Sequence, residues 1–276
     1  MGMGAVASWL TGISQRYTVV RGQSAPPGSV VLNVISMMMW FMDKLGTRFI
    51  TVSNYDRSDL VLRKICRDSQ VTAIHDGIDL CKFTQKCPGE FRKRYNIPEN
   101  AYMVGMIGRL TFQKRYGDFV AFMGELYKRK ENVYGFLIGE GEDREKLQRQ
   151  IDALKLRDRV RITGFVDHMH EVYSDLNLTM LFSNFEGLPN VLIESAASGI
   201  PLIANDVCGN CEIVIHEENG YLVKTGDIIQ AVTHAEKLME NPDLAQRLGE
   251  RGKEIAYQCF DKEKQVAKFI RMITSS

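Results

Sequence analysis

From about residue 100 onward the chain alternates short apolar runs with amphipathic stretches of helical period, and this rhythm narrows the possible folds more than any other feature. The runs are Tyr102–Ile107, Tyr134–Ile138, Val160–Ile162, Leu178–Phe182, Leu202–Ala204 and Tyr221–Val223. They are continuous rather than alternating, as strands covered on both faces are. Helices are predicted between them, near Tyr116–Arg129, Arg144–Leu154, Met169–Asp175, Pro189–Ser198 and Asn210–Ile215. Strand and helix in turn at this spacing predict an α/β fold built on a parallel sheet. Three more helices are expected near Ile228–Glu240, Asp243–Gln258 and Lys262–Ile273.

The first 70 residues read differently. A helical stretch is expected near Ala5–Leu10, then Arg16–Val20, then a turn at Pro26-Pro27-Gly28. A long apolar helix follows over Val30–Leu45, and its Val30–Met42 stretch is too short to span a bilayer. It is either a buried or partner-facing helix or a membrane-surface one. Strand-like runs stand at Phe49–Val52 and Val71–Ile74, with a Ser53 or Asn54 cap opening the helix between them. The start Met-Gly-Met-Gly-Ala lacks the basic region of a signal peptide.

Composition removes whole classes. With 45% hydrophobic and 25% charged residues, disorder, collagen and coiled coil are excluded as the main character. Lys plus Arg is 35 and Asp plus Glu is 34, a net charge of +1. That balance gives no global drive towards nucleic acid or anionic lipid. The six cysteines are irregularly spaced and contain one C-x-x-C, Cys208 and Cys211. A zinc site needs a second pair or nearby histidines, so reduced thiols in a cytoplasmic compartment are expected.

In open parallel sheets ligands bind beyond the carboxyl ends of the strands. Arg109 and Lys114 follow the first run; they suit an anion, or they are plain solvated loop cations. Gly139-Glu140-Gly141 follows the second run and is not a dinucleotide fingerprint. Phe165 and Val166 follow the third and could frame a flat base. The fourth is followed by Glu186-Gly187-Leu188-Pro189, where Pro189 suits the first turn of a helix. Gly199 is its expected left-handed cap, with Pro201 beyond. Free amides and the helix dipole there favour an anion. Glu194 sits two turns on, among Val191, Leu192, Ile193, Ala196 and Ala197. It either bonds ligand hydroxyls or pairs with a neighbouring Lys or Arg. Cations and amides suit a diphosphate, and carboxylates suit sugar hydroxyls; together they describe a nucleotide-sugar site.

Glu186 and Glu194 form E-x7-E within Phe185–Pro201, which resembles the signature of family-4 (group 1) retaining glycosyltransferases. Gly108-Arg109-Leu110 with Lys114, Gly77-Ile78-Asp79, Gly164-Phe165-Val166 and Asn219-Gly220-Tyr221 recur in that family's order. The resemblance implies a GT-B-like fold: a complete Rossmann-like donor domain over 71–258, preceded by a partial Rossmann-like acceptor-side domain over 1–70. A C-terminal helix over 259–276 would return towards the N-terminal part. The first strands and helices of the usual acceptor domain have no counterpart, and Asp76 stands where the family usually has Asn.

By the same resemblance Arg109 and Lys114 hold the diphosphate, Glu186 the donor sugar and Glu194 the ribose. Glu186, Arg109 and Lys114 are the catalytic set. Gly187, Leu188, Phe165, Val166 and Glu140 complete the donor-binding set. The implied substrates are a nucleoside-diphosphate sugar and a glycan or lipid-linked acceptor, with no metal or other cofactor and no nucleic acid. Peripheral contact with the inner membrane face, and a partner replacing the missing N-terminal part, belong to the same expectation. The alternative is a nucleotide-sugar-binding remnant or subunit without transfer activity of its own.

Overall fold

The computed structural model describes residues 8–13, 15–22, 28–84 and 86–274. The opening Met-Gly-Met-Gly-Ala, residues 5–7 of the expected first helix and the Pro26-Pro27 turn lie outside them. Two parallel sheets carry the fold. The first holds β1 (Tyr17–Val20), β2 (Arg48–Thr51) and β3 (Val71–Ala73), in that order. The second holds β4 (Tyr102–Ile107), β5 (Val133–Ile138), β6 (Val160–Gly164), β7 (Leu178–Leu181), β8 (Leu202–Asn205) and β9 (Gly220–Val223). Its order is β6-β5-β4-β7-β8-β9, and every pairing is parallel.

That order fixes where a ligand can sit. The chain leaves β4 towards β5 on one side and β7 towards β8 on the other. Helices Tyr116–Arg129 and Ile228–Glu240 pack together, and helix Asn190–Ala197 packs against Pro242–Cys259. The carboxyl ends of β4 and β7 therefore flank the switch point, where such sheets open a crevice. The core beneath is dense: Phe119, Phe122, Leu126, Leu137 and Leu192 are fully buried. Each such side chain contributes about 1.5–3 kcal/mol of burial. Helix Asn190–Ala197 ends as expected, Gly199 taking φ 75°.

The first sheet is smaller. Helix Val30–Lys44 is capped by the Ser29 side chain, which accepts from the Leu32 amide. It packs Met39 and Met42 against Phe49, Leu60 and Val71. Its inner face is thus buried, while Val30, Val34, Met37, Met38 and Phe41 on the outer face are exposed. Val71–Ala73, placed with the donor-binding domain by a boundary after residue 70, pairs with β2 in the first sheet. The reason is non-local: the partner strand lies about twenty residues back in the chain. The chain then crosses to the second sheet, and helix Lys262–Thr274 returns. Ile78 donates to Phe260 O at 3.0 Å, and Lys262 donates to Ile78 O at 3.1 Å. No helix among the described residues is long and apolar enough to cross a membrane.

Candidate active site

The switch point is built by two loops, 108–116 after β4 and 182–188 after β7. Side chains lock them together. Gln113 Nε2 donates to Phe185 O at 2.8 Å. Asn184 Oδ1 accepts from Arg115 Nη1 at 3.0 Å, and its Nδ2 donates to Phe112 O at 3.1 Å. Tyr116, buried, donates its hydroxyl to Gly108 O at 2.9 Å. Burial, reinforced by the Glu186 charge, pushes that phenol well above its usual range, so it stays a donor.

At the centre Lys114 Nζ lies 2.7 Å from Glu186 Oε1. Both are largely buried, Glu186 to 7% exposure. Ser183 Oγ donates to the same oxygen at 2.6 Å. Ser183 is itself held by Asn205 at the end of β8, whose Oδ1 accepts from the Ser183 amide at 2.9 Å. Three strand ends thus fix one carboxylate. The Lys114 stem runs beside Gly108, its Cε 3.5 Å from where a Cβ would stand. Gly108 also borders a cleft of about 490 Å³, lined by Arg109, Glu140, Phe165, Val166 and Glu194.

The structure therefore divides the expected residues into two adjoining groups. Lys114 and Glu186, with Gly187 and Leu188 following, form the group at the switch point. Arg109, Glu140, Phe165, Val166 and Glu194 form the cleft beside it. Arg109 is exposed. Phe165 is exposed at the rim, and Val166 packs inward. Glu140 is bound by Arg144 Nη1 at 2.8 Å. Leu188 buries its side chain in the core, leaving only its backbone to face a ligand.

Sequence leaves Glu194 either bonded to ligand hydroxyls or paired with a neighbouring Lys or Arg. It has no Lys or Arg partner among the described residues; Tyr173 donates its hydroxyl to Glu194 Oε2 at 2.7 Å. Burial raises its carboxyl above the usual value, and the Tyr173 bond only partly opposes this. Sequence does not single out Tyr173, because its helical spacing reads as plain core. Tyr116, Ser183 and Asn205 escape it too, although Ser183 and Asn205 stand at strand ends. Asp76 forms an ion pair with Arg21 at 3.3 Å. All six cysteines are free thiols.

The 186–188 loop is also packed by backbone. A Cβ at residue 187 would stand 2.9 Å from the Gly22 Cα, and one at 209 would collide with the Gly187 carbonyl oxygen. Gly209→Ala must therefore push the loop that carries Glu186. Overpacking of this kind costs about 1–3 kcal/mol. The variant is expected to melt several degrees lower and to bind nucleotide more weakly, measured by thermal unfolding with and without ligand.

A profile of the family described as "Glycosyl transferases group 1" matches residues 89–255, more than half of the chain. The chain belongs to that family. Among curated relatives, the N-acetyl-alpha-D-glucosaminyl L-malate synthase of Bacillus anthracis is 26% identical over 202 residues, covering 73% of this chain and 53% of the relative. The lipopolysaccharide core biosynthesis glycosyltransferase LpsD of Rhizobium meliloti is 30% identical over 177 residues, covering 63% and 50%. This group 1 chain thus spans about half the length of the curated relatives it matches. Among solved structures, Anabaena HepE in complex with UDP superposes with a TM-score of 0.88 at 18% identity, covering all of this chain and 76% of that one. Sucrose-phosphate synthase from Thermosynechococcus elongatus gives 0.85 at 22% identity, covering 99% and 71%. The group 1 chain accordingly has the GT-B-like α/β fold.

Proposed function

We propose that the protein transfers a sugar from a nucleoside-diphosphate sugar to a glycan or lipid-linked acceptor, with retention of anomeric configuration. The observation that carries this reading is the buried Lys114–Glu186 pair at the switch point, 2.7 Å apart, beside a cleft edged by Arg109 and Glu194. Arg109 and Lys114 hold the diphosphate, Glu186 accepts from a donor-sugar hydroxyl, and Glu194 accepts from the ribose. Phe165 and Val166 lie against the base, with Glu140 beside them, and the Gly187 and Leu188 backbone faces phosphate or sugar.

In the reaction the bond between the anomeric carbon and the phosphate oxygen breaks. The acceptor oxygen bonds the same carbon from the same face, and its proton passes to the leaving phosphate. Negative charge grows on the diphosphate, where Lys114, Arg109 and the amides opening helix Asn190–Ala197 stabilise it. No covalent protein nucleophile and no metal take part. The relatives favour a uridine nucleotide. HepE was solved with UDP and with UDP-glucose, and an Escherichia coli relative, 25% identical, is named as a galactosyltransferase from UDP-Gal to a diphosphoundecaprenol-linked sugar. An acceptor of that kind would place the protein in the cytoplasm, at the inner membrane face.

The test is transfer from UDP-glucose, UDP-galactose or UDP-N-acetylglucosamine to a lipid-diphosphate sugar, with the product anomer read by proton NMR. An α-linked product from the α-linked donor, formed equally in EDTA, is expected; a β-linked product would overturn retention. A second reading is a donor-binding subunit without transfer, since the same buried pair and cleft can hold a donor whether or not an acceptor is taken. Undiminished nucleotide binding with no product would select it.

A further inference from the structure

Glu212, on the segment after β8, has no role in the chemistry above, yet its carboxylate reaches the body of the first sheet. Its Oε1 accepts from the Tyr55 amide at 2.8 Å. Its Oε2 accepts from the Asn54 amide at 3.0 Å and from Asn54 Nδ2 at 2.9 Å. The same oxygen lies 2.8 Å from His75 Nε2. Asn54 and Tyr55 open helix Asn54–Leu62, so a carboxylate from the other sheet satisfies amides that the helix leaves without partners. The Ser53 hydroxyl accepts from the next amide, that of Asp56, at 3.0 Å.

Burial pushes the Glu212 carboxyl up, but the His75 hydrogen bond and the two amides outweigh it and hold the group below its ordinary value. Three residues before Glu212, Gly209 backs directly on Gly187, next to Glu186. One short segment thus touches the donor-side loop at one end and the first sheet's helix at the other.

We propose that Glu212 is a positioning residue: its carboxylate clasps helix Asn54–Leu62 and so sets the first sheet's body in register with the Lys114–Glu186 site. This rests on the transferase reading, in which an acceptor held by the first body must meet the sugar held by the second. A loosened clasp leaves each body folded but breaks the register between them. Donor binding then survives while transfer falls.

The test compares the full chain with Glu212→Ala and Glu212→Gln by UDP titration, kcat for transfer and backbone hydrogen exchange over residues 53–58. For Glu212→Ala, kcat is expected to fall by about tenfold or more, with exchange over 53–58 accelerated by a similar factor. The UDP dissociation constant should stay within about twofold. Glu212→Gln keeps an oxygen for the helix amides and should recover part of both losses. Unchanged exchange over 53–58 would overturn the proposal. So would a loss of UDP binding as large as the loss of kcat, which is the sign of a damaged donor body. If the parent chain transfers no sugar, the transferase reading fails separately. Exchange then decides the clasp: local acceleration supports it and unchanged exchange refutes it.

Discussion

Lys114→Ala is expected to lower kcat/KM for transfer by about a thousandfold, equivalent to about 4 kcal/mol of lost transition-state stabilisation. The ammonium sits at the switch point, where charge grows on the leaving diphosphate. Stability falls as well. Among the described residues, Glu186, 7% exposed, would keep only the Ser183 hydroxyl as a side-chain partner. Removing one member of a buried ion pair costs about 3–5 kcal/mol. At about 2–4 °C per kcal/mol, that lowers Tm by roughly ten degrees. The double variant Lys114→Met with Glu186→Gln removes both charges and keeps similar volumes. It is expected to recover most of the lost Tm and none of the turnover. Recovery of both would mean that the pair acts only in stability.

Asp56→Asn is expected to stabilise the protein near neutral pH by about 3 kcal/mol, because each pH unit by which folding raises a carboxyl's pKa costs about 1.36 kcal/mol. Asp56 is buried at the start of helix Asn54–Leu62, and its Oδ2 has no hydrogen-bond partner among the described residues. Burial pushes its carboxyl from 3.8 to about 6, with the Glu212 and Asp59 charges adding to the rise. Hydrogen bonds from Ser53 and the Gly22 amide only partly oppose this. The native state therefore keeps a proton that the unfolded chain has already released between these two values. Stability attributable to Asp56 falls as pH rises through that window. Asn is neutral throughout and keeps an oxygen for the Gly22 amide. Urea unfolding near pH 4 and near pH 7 should show a small difference between parent and variant at the lower pH and a large one at the higher. An equal difference at both would contradict the burial account.

The second sheet was legible because doubly covered parallel strands are written as continuous apolar runs. Tyr102–Ile107 and helices Tyr116–Arg129, Met169–Asp175 and Ile228–Glu240 have the bounds read from sequence. What was missed is non-local or too short. Helix Glu90–Arg94 is five residues, less than two turns, and leaves no period to read. The membership of Val71–Ala73 in the first sheet depends on pairing with β2 rather than on its own residues. Helix Val30–Lys44 is apolar nearly all round, so its pattern could not tell the face against Phe49 and Val71 from the exposed one.

At the site the sequence located the loops but not their wiring. Glu186 and Lys114 could be picked from strand ends, yet their contact spans 72 residues. The Glu194 partner is an aromatic hydroxyl rather than the cation its charge would suggest. Glu212 reads in sequence as an ordinary acidic residue beside a glycine turn. Its bonds to Asn54 and Tyr55 cross 158 and 157 residues, a distance over which local pattern carries no information.

The most direct test of nucleotide-sugar binding at the switch point is calorimetric titration of UDP, GDP and ADP into the chain and into Arg109→Ala with Lys114→Ala. One diphosphate should bind the parent with a single site, and the double variant should lose about a hundredfold or more in affinity while remaining folded. Binding of equal strength in the folded double variant, or of no diphosphate to the folded parent, would contradict the account.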